Sequence, residues 1–134
     1  MNRPISVLLL DDQANQLKSE LDSNAKSNRV IIKKAITNSE EGIKFIKENH
    51  QKIDAIILDG YFYKKPNSSD TKDIQALKET VEELKKLFYK QSISIPYCVL
   101  TGYMDDIQHD SLLSDIKVFR KGRVSSEMYD YLQR

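Results

Sequence analysis

The sequence predicts an α/β protein in which a parallel β-sheet is sandwiched between helices. Three observations predict it. Short apolar runs recur along the chain, nearly continuous rather than alternating, as strands covered on both faces require. Segments with apolar residues three and four apart lie between those runs. The two patterns alternate, strand then helix, five times, and such alternation means parallel strands joined by right-handed crossovers.

Residues 5–10 (ISVLLL) form the first predicted strand, apolar almost throughout. A helix is predicted over 13–25, where Ala14, Leu17, Leu21 and Ala25 approximate one stripe. Residues 30–36 (VIIKKAI) read as a strand nearer an edge, because two lysines interrupt the apolar run. Residues 39–49 carry Ile43 and Ile46 beside Phe45, with Ser39 and Glu40 at the helix start. The third strand is predicted over 53–58 (IDAIIL), and residues 60–72 (GYFYKKPNSSDTK) form a long connection after it. A loop of that size inside a compact domain is usually functional or mobile. Over 73–89 the helical pattern is strongest, with Ile74, Leu77, Val81, Leu84 and Leu87 or Phe88 on one face. Its polar face mixes acids and lysines, as a solvated, internally paired face does. Residues 95–100 (IPYCVL) are the fourth strand, where Pro96 is tolerable only near the start. A short helix over 104–113, a weaker strand over 116–119 (IKVF) and a closing helix over 124–132, with Val124, Met128 and Leu132 one turn apart, complete the order.

Composition sets outer limits. A chain of 134 residues, 1–134, makes one domain with a core of useful size and leaves no room for a second. Twenty-one Lys and Arg against twenty Asp and Glu leave a net charge of +1, so no electrostatic drive toward nucleic acid or an anionic membrane is expected. Cys98 is the single cysteine, which excludes an internal disulfide and a thiolate metal cluster and fits a reducing cytoplasm. The apolar run after Arg3 and Pro4 meets Asp11 too soon to be a secretory signal, and no run is long enough to span a membrane. A soluble, cytoplasmic protein is expected.

Function is sought at the carboxyl ends of the strands, where open parallel sheets bind their ligands. The first predicted strand ends in Asp11-Asp12, the third in Asp59, the fourth in Thr101-Gly102 and the fifth in Lys121. Each has an ordinary reading alone. Asp12 could cap a helix, Asp59-Gly60 could form a turn, and Lys121 could be solvated. Parallel strands, however, bring all of these ends to one edge. Three carboxylates repel there by about 3 kcal/mol per pair at ~5 Å and an effective dielectric of ~20. A cation offsets that repulsion, and oxygen-only donors suit Mg²⁺. The same set suits phosphoryl transfer, with an aspartate oxygen as nucleophile and positive charge plus a hydroxyl around the transferring group. His50 and His109 are expected to be solvated rather than catalytic.

On these residues the chain resembles the receiver domains of two-component response regulators, over essentially its whole length. The motifs are LLLDDQ (8–13), IILDG (56–60), VLTG (99–102) and FRKG (119–122). The resemblance implies a flavodoxin-like, doubly wound five-stranded parallel sheet of strand order 2-1-3-4-5 with helices on both faces. It implies Asp59 as phosphoacceptor, with Thr101 and Lys121 on the phosphoryl oxygens. Mg²⁺ would be held by Asp12, Asp59 and the backbone carbonyl of Tyr61, with Asp11 acting through a metal-bound water. The phosphodonor would be a phosphohistidine of a sensor histidine kinase or a histidine phosphotransfer protein. The chain would then be a signalling protein, catalysing only its own phosphorylation and dephosphorylation.

Departures from the family pattern accompany the match. Gly122 follows Lys121 where the family usually has proline, and Val118 stands where Tyr or Phe is usual. Phe119 is one place later and is expected on the opposite face of the strand. Tyr61 and Tyr103, two places after Asp59 and Thr101, would restrict attack by water on an acyl phosphate, or merely cover loop backbone. No DNA-binding or catalytic output module follows the closing helix, as in a stand-alone receiver or a receiver segment of a longer protein. Two rival readings remain. A degenerate receiver would act as a protein-interaction module without phosphorylation. A Mg²⁺-dependent aspartyl-phosphate phosphohydrolase of the haloacid dehalogenase type would place its acids as D-x-D on the first strand, whereas Asp11 and Asp12 are adjacent.

Overall fold

A computed structural model of the chain describes residues 4–11, 13, 15–16, 18, 21, 29–59, 74–101, 113, 115–120 and 126–133. Five strands, β1 (Ile5–Leu10), β2 (Val30–Ile36), β3 (Ala55–Asp59), β4 (Tyr97–Thr101) and β5 (Val118–Arg120), pair in parallel in the order β2-β1-β3-β4-β5. Three helices are described in full: α1 (Ser39–Asn49), α2 (Ile74–Gln91) and α3 (Ser126–Leu132). Residues 15, 16, 18 and 21 are also helical, inside the stretch where the sequence predicts its first helix. The remainder of that helix, the 60–72 connection and most of the 104–113 helix lie outside the described residues. No described helix is long and apolar enough to cross a membrane.

The sheet divides the core into two layers, and strand alternation decides which residue enters which. Leu8, Leu10, Ile56, Leu58, Val99 and Val118 face one layer with Ile43 and Ile46 of α1 and Leu77, Val81, Leu84 and Leu87 of α2. Val7, Leu9, Ala55, Ile57, Cys98 and Leu100 face the other with Leu21 and with Met128, Tyr129 and Leu132 of α3. Both faces of the central strands are therefore covered, which is why their sequences do not alternate. The edge position expected for β2 holds, and its Ile31 is half exposed.

Three strand boundaries differ from expectation. β3, β4 and β5 each begin two residues later, and end one residue later, than their apolar runs, because pairing rather than hydropathy sets a strand's bounds. Ile53 is buried but precedes β3, and Asp54 uses its carboxylate to accept the Ser6 N–H at 2.8 Å. Pro96 lies just before β4, where its missing donor costs nothing and its carbonyl accepts the Ile56 N–H at 3.0 Å. The closing helix is described from Ser126 to Leu132, and the two residues before it in the predicted span lie outside the described residues.

Candidate functional site

The strand order reverses direction between β1 and β3. From β1 the chain crosses to β2 on one side, whereas from β3 it crosses to β4 on the other. Open parallel sheets bind ligands at such a switch point, beyond the carboxyl ends of the two strands. Asp11, immediately after β1, and Asp59, the last residue of β3, stand at that point.

Register fixes their relative positions. Leu10 pairs with Leu58, so Asp11 and Asp59 are the next step on adjacent strands, level with one another and about 5 Å apart at the backbone. Asp59 pairs with Leu100, which sets Thr101 one step further out on the neighbouring strand. All three are buried, Asp11 and Thr101 completely and Asp59 to 4% exposure. Such burial is unusual for carboxylates, which are mostly exposed.

Local structure holds Asp11 from two directions. Its N–H donates to the Ile36 carbonyl at 3.0 Å, so the backbone is still pinned to β2. Oδ1 accepts the Gln13 N–H at 2.8 Å, a side-chain turn that leads the chain out of the strand toward its helical residues. The acid at position 11 is thereby oriented by its own chain. Behind it, α1 packs against the strand: a Cβ on Gly42 would overlap the end of the Leu10 side chain, which would have to shift to admit it.

Of the predicted site residues, the structure brings together Asp11, Asp59 and Thr101. Asp12, Tyr61 and Lys121 lie outside the described residues, as do Tyr103, His109 and Gly122. Among the described residues no group of three or more His, Cys, Asp and Glu side chains converges. The paired carboxylates nonetheless offer only hard oxygen donors, the set that fits a divalent cation such as Mg²⁺. His50 sits at the end of α1, away from the strand ends, as expected. Phe119 faces the α3 layer, its ring 6.0 Å from that of Tyr131, while Val118 faces the α1 and α2 layer. Register places Arg120 beside Thr101 at the end of β5.

No family model matches the chain, and no curated protein sequence matches it. Solved structures do. A response regulator receiver domain protein from Clostridium thermocellum is 19% identical with a TM-score of 0.66, over 96% of this chain and 91% of that one. A DNA-binding response regulator of the LuxR family from Staphylococcus aureus is 17% identical with a TM-score of 0.69, over 96% of each chain. The CheX–CheY–BeF₃–Mg²⁺ complex from Borrelia burgdorferi contains a chain 19% identical with a TM-score of 0.62, over 94% of this chain and 84% of that one.

Proposed function

We propose that this chain, which has the fold of response regulator receiver domains, accepts a phosphoryl group on Asp59 and signals by the change that follows. The observation that carries the reading is the level pair of buried acids, Asp11 and Asp59, at the sheet's switch point with a buried threonine one step beyond.

A carboxylate oxygen of Asp59 attacks the phosphorus of a phosphohistidine, forming the P–O bond of an acyl phosphate as the P–N bond breaks. The electron pair of that bond stays with the departing imidazole, which then takes up a proton. The partner would be a sensor histidine kinase or a histidine phosphotransfer protein. Thr101 would donate its hydroxyl hydrogen to a phosphoryl oxygen, and the Lys121 ammonium would supply positive charge to it. Asp11, Asp12, Asp59 and the Tyr61 carbonyl would hold Mg²⁺, which when bound supplies positive charge against the crowded phosphoryl and carboxylate oxygens. Added charge at Asp59 then shifts an equilibrium between surface conformations, the output of the domain. The chemistry stops at this chain's own phosphorylation and its reversal. Buried Cys98, the single thiol, fits a cytoplasmic site of action.

Incubating the protein with acetyl phosphate and Mg²⁺ and weighing it intact tests the reading. Wild type is expected to gain one phosphoryl group and Asp59→Asn none. Uptake by neither protein would instead support an interaction module independent of phosphorylation, and steady turnover of a generic phosphate ester would support a phosphohydrolase.

A further inference from the structure

We propose that the aromatic groove at the start of β4 is a binding site for a small quaternary ammonium cation. It stands apart from the phosphoacceptor site, because Tyr97 opens β4 and Thr101 ends it, roughly 13 Å further along the strand. The groove encloses about 220 Å³, and Phe88, Pro96, Tyr97, Asp115, Ile116 and Tyr131 are among the residues that line it.

Three elements bring the rings together. The last turns of α2 supply Phe88, the first position of β4 supplies Tyr97, and α3 supplies Tyr131. All three side chains are half-buried, so each keeps part of its surface on the groove. The Phe88 and Tyr97 rings lie 6.2 Å apart at their centroids and are inclined by 55°, so two walls meet at an angle rather than stacking flat. Tyr131 adds a third wall, and its own ring is inclined by 59° to that of Phe119 at 6.0 Å. A turn closed by the Ile116 N–H on the Leu113 carbonyl, at 3.1 Å, carries Asp115 to the rim. Asp115 is the single charged residue among the described lining residues.

Such a lining favours a cation. The face of an aromatic ring attracts positive charge within about 6 Å of its centre. Lys117 illustrates this beside the groove, its ammonium 5.7 Å from the centre of the Phe119 ring. Asp115 adds a full negative charge, and its field reaches Tyr97. Burial first, and then Asp115 and Tyr131, raise the Tyr97 hydroxyl above the ordinary 10.0, so this wall stays uncharged at neutral pH. A primary ammonium brings three N–H donors that need acceptors once it leaves water, whereas a quaternary ammonium brings none. Rings and one carboxylate therefore suit the quaternary group better. The volume lies below the roughly 300–1,000 Å³ of drug-sized ligand sites, which fits a small free molecule of the choline class.

Two lysines oppose the cation. Lys117 is exposed, and Lys85 pairs with Asp115 at 3.5 Å with the two side chains 49% and 68% exposed. An ion pair so open to water is worth little, so a cation seated against the rings can displace Lys85. That competition gives the test its signs.

Choline chloride titrated into the full chain, followed by calorimetry and by the ring resonances of Tyr97 and Tyr131, examines the site. Choline is expected to bind about fivefold tighter than its neutral isostere, in which a tert-butyl group replaces the trimethylammonium. Asp115→Asn should weaken choline about fivefold and leave the isostere unchanged, whereas Lys85→Ala should tighten choline about twofold. Asp59→Asn should bind choline as wild type does, which keeps the outcome separate from that of the phosphoacceptor. Equal affinities for choline and the isostere, or an affinity that ignores both Asp115→Asn and Lys85→Ala, would overturn the proposal. So would still resonances at about 0.1 M choline, a concentration that reveals even very weak binding. Binding of a trimethyl-lysine peptide or of phosphatidylcholine vesicles, without binding of free choline, would also overturn it and assign the groove to a larger partner. Asp115 and Lys85 are both exposed, so neither substitution threatens the core, and thermal melts of each variant verify the fold.

Discussion

Ser92 follows α2 with φ at 55°, in the left-handed region where a side chain is strained. It closes the helix by a reversal: the Ile93 N–H reaches back to the Phe88 carbonyl at 3.0 Å and the Ser92 N–H to that of Tyr89 at 3.4 Å. Glycine is the usual occupant of this position, which is why the sequence carried no signal for it. Ser92→Gly should stabilise the protein by about 0.5–1 kcal/mol, the relief of strain exceeding the entropy that glycine adds to the unfolded chain. A urea midpoint lower than that of wild type would contradict it. Cys98 has the opposite character, a residue whose chemistry is suppressed by place. Burial pushes its thiol from the ordinary 9.0 up to about 12. The folded value lies above the unfolded one, so the stabilisation is complete below pH 9.0 and is lost as pH rises toward about 12. Unfolding free energy should therefore decline over that window, more steeply in wild type than in Cys98→Ala. At pH 8 a disulfide reagent should label the thiol only as fast as the chain opens.

At the level of elements, α1 was legible to its last residue because its signals are local and dense. Its start is a reciprocal cap: Asn38 Oδ1 accepts the Glu41 N–H at 2.9 Å, and Asn38 Nδ2 donates to the Glu41 carboxylate at 3.0 Å. Its packing was not legible. Gly42 sits mid-helix, where composition alone argues for replacement by alanine, a better helix former by about 1 kcal/mol. The structure reverses that expectation, since a methyl group at 42 would collide with Leu10. Gly42→Ala should destabilise the fold, and Leu10→Val in the same chain should recover part of the loss. Greater stability of the single variant would show that α1 can move away from β1 at little cost. The buried Ser39–Thr80 hydroxyl pair, 2.6 Å apart between α1 and α2, was missed for a related reason. So was Tyr129, fully buried on α3. Both residue types are usually read as surface, and only tertiary neighbours decide otherwise.

For the molecule as a whole, the arrangement of layers was readable because burial on both faces leaves an unbroken apolar run, and five such runs admit few topologies. The placement of Asp11, Asp59 and Thr101 at one edge of the sheet was readable for the same reason, as parallel strands gather their carboxyl ends whatever lies between them. Pairing details such as Thr101 beside Arg120 were not, because register depends on the ladder rather than on hydropathy. That gathering carries a cost which the whole domain bears. Asp11 and Asp59 are buried, level and on adjacent strands. Their mutual repulsion is about 3 kcal/mol at ~5 Å and an effective dielectric of ~20, before neighbouring cations offset it. Removing one charge without changing shape should therefore stabilise the metal-free protein. Asp59→Asn is expected to melt about 3–6 °C above wild type in EDTA, the shift that roughly 1–2 kcal/mol gives a domain of this size. Adding Mg²⁺ should close the gap from below, because an ion bound only by the folded state stabilises it by mass action. Wild-type melting should climb with the logarithm of Mg²⁺ concentration while Asp59→Asn responds weakly. If the variant instead melts below wild type in EDTA and neither responds to Mg²⁺, the two acids are held by hydrogen bonds within the protein, and no divalent ion belongs between them.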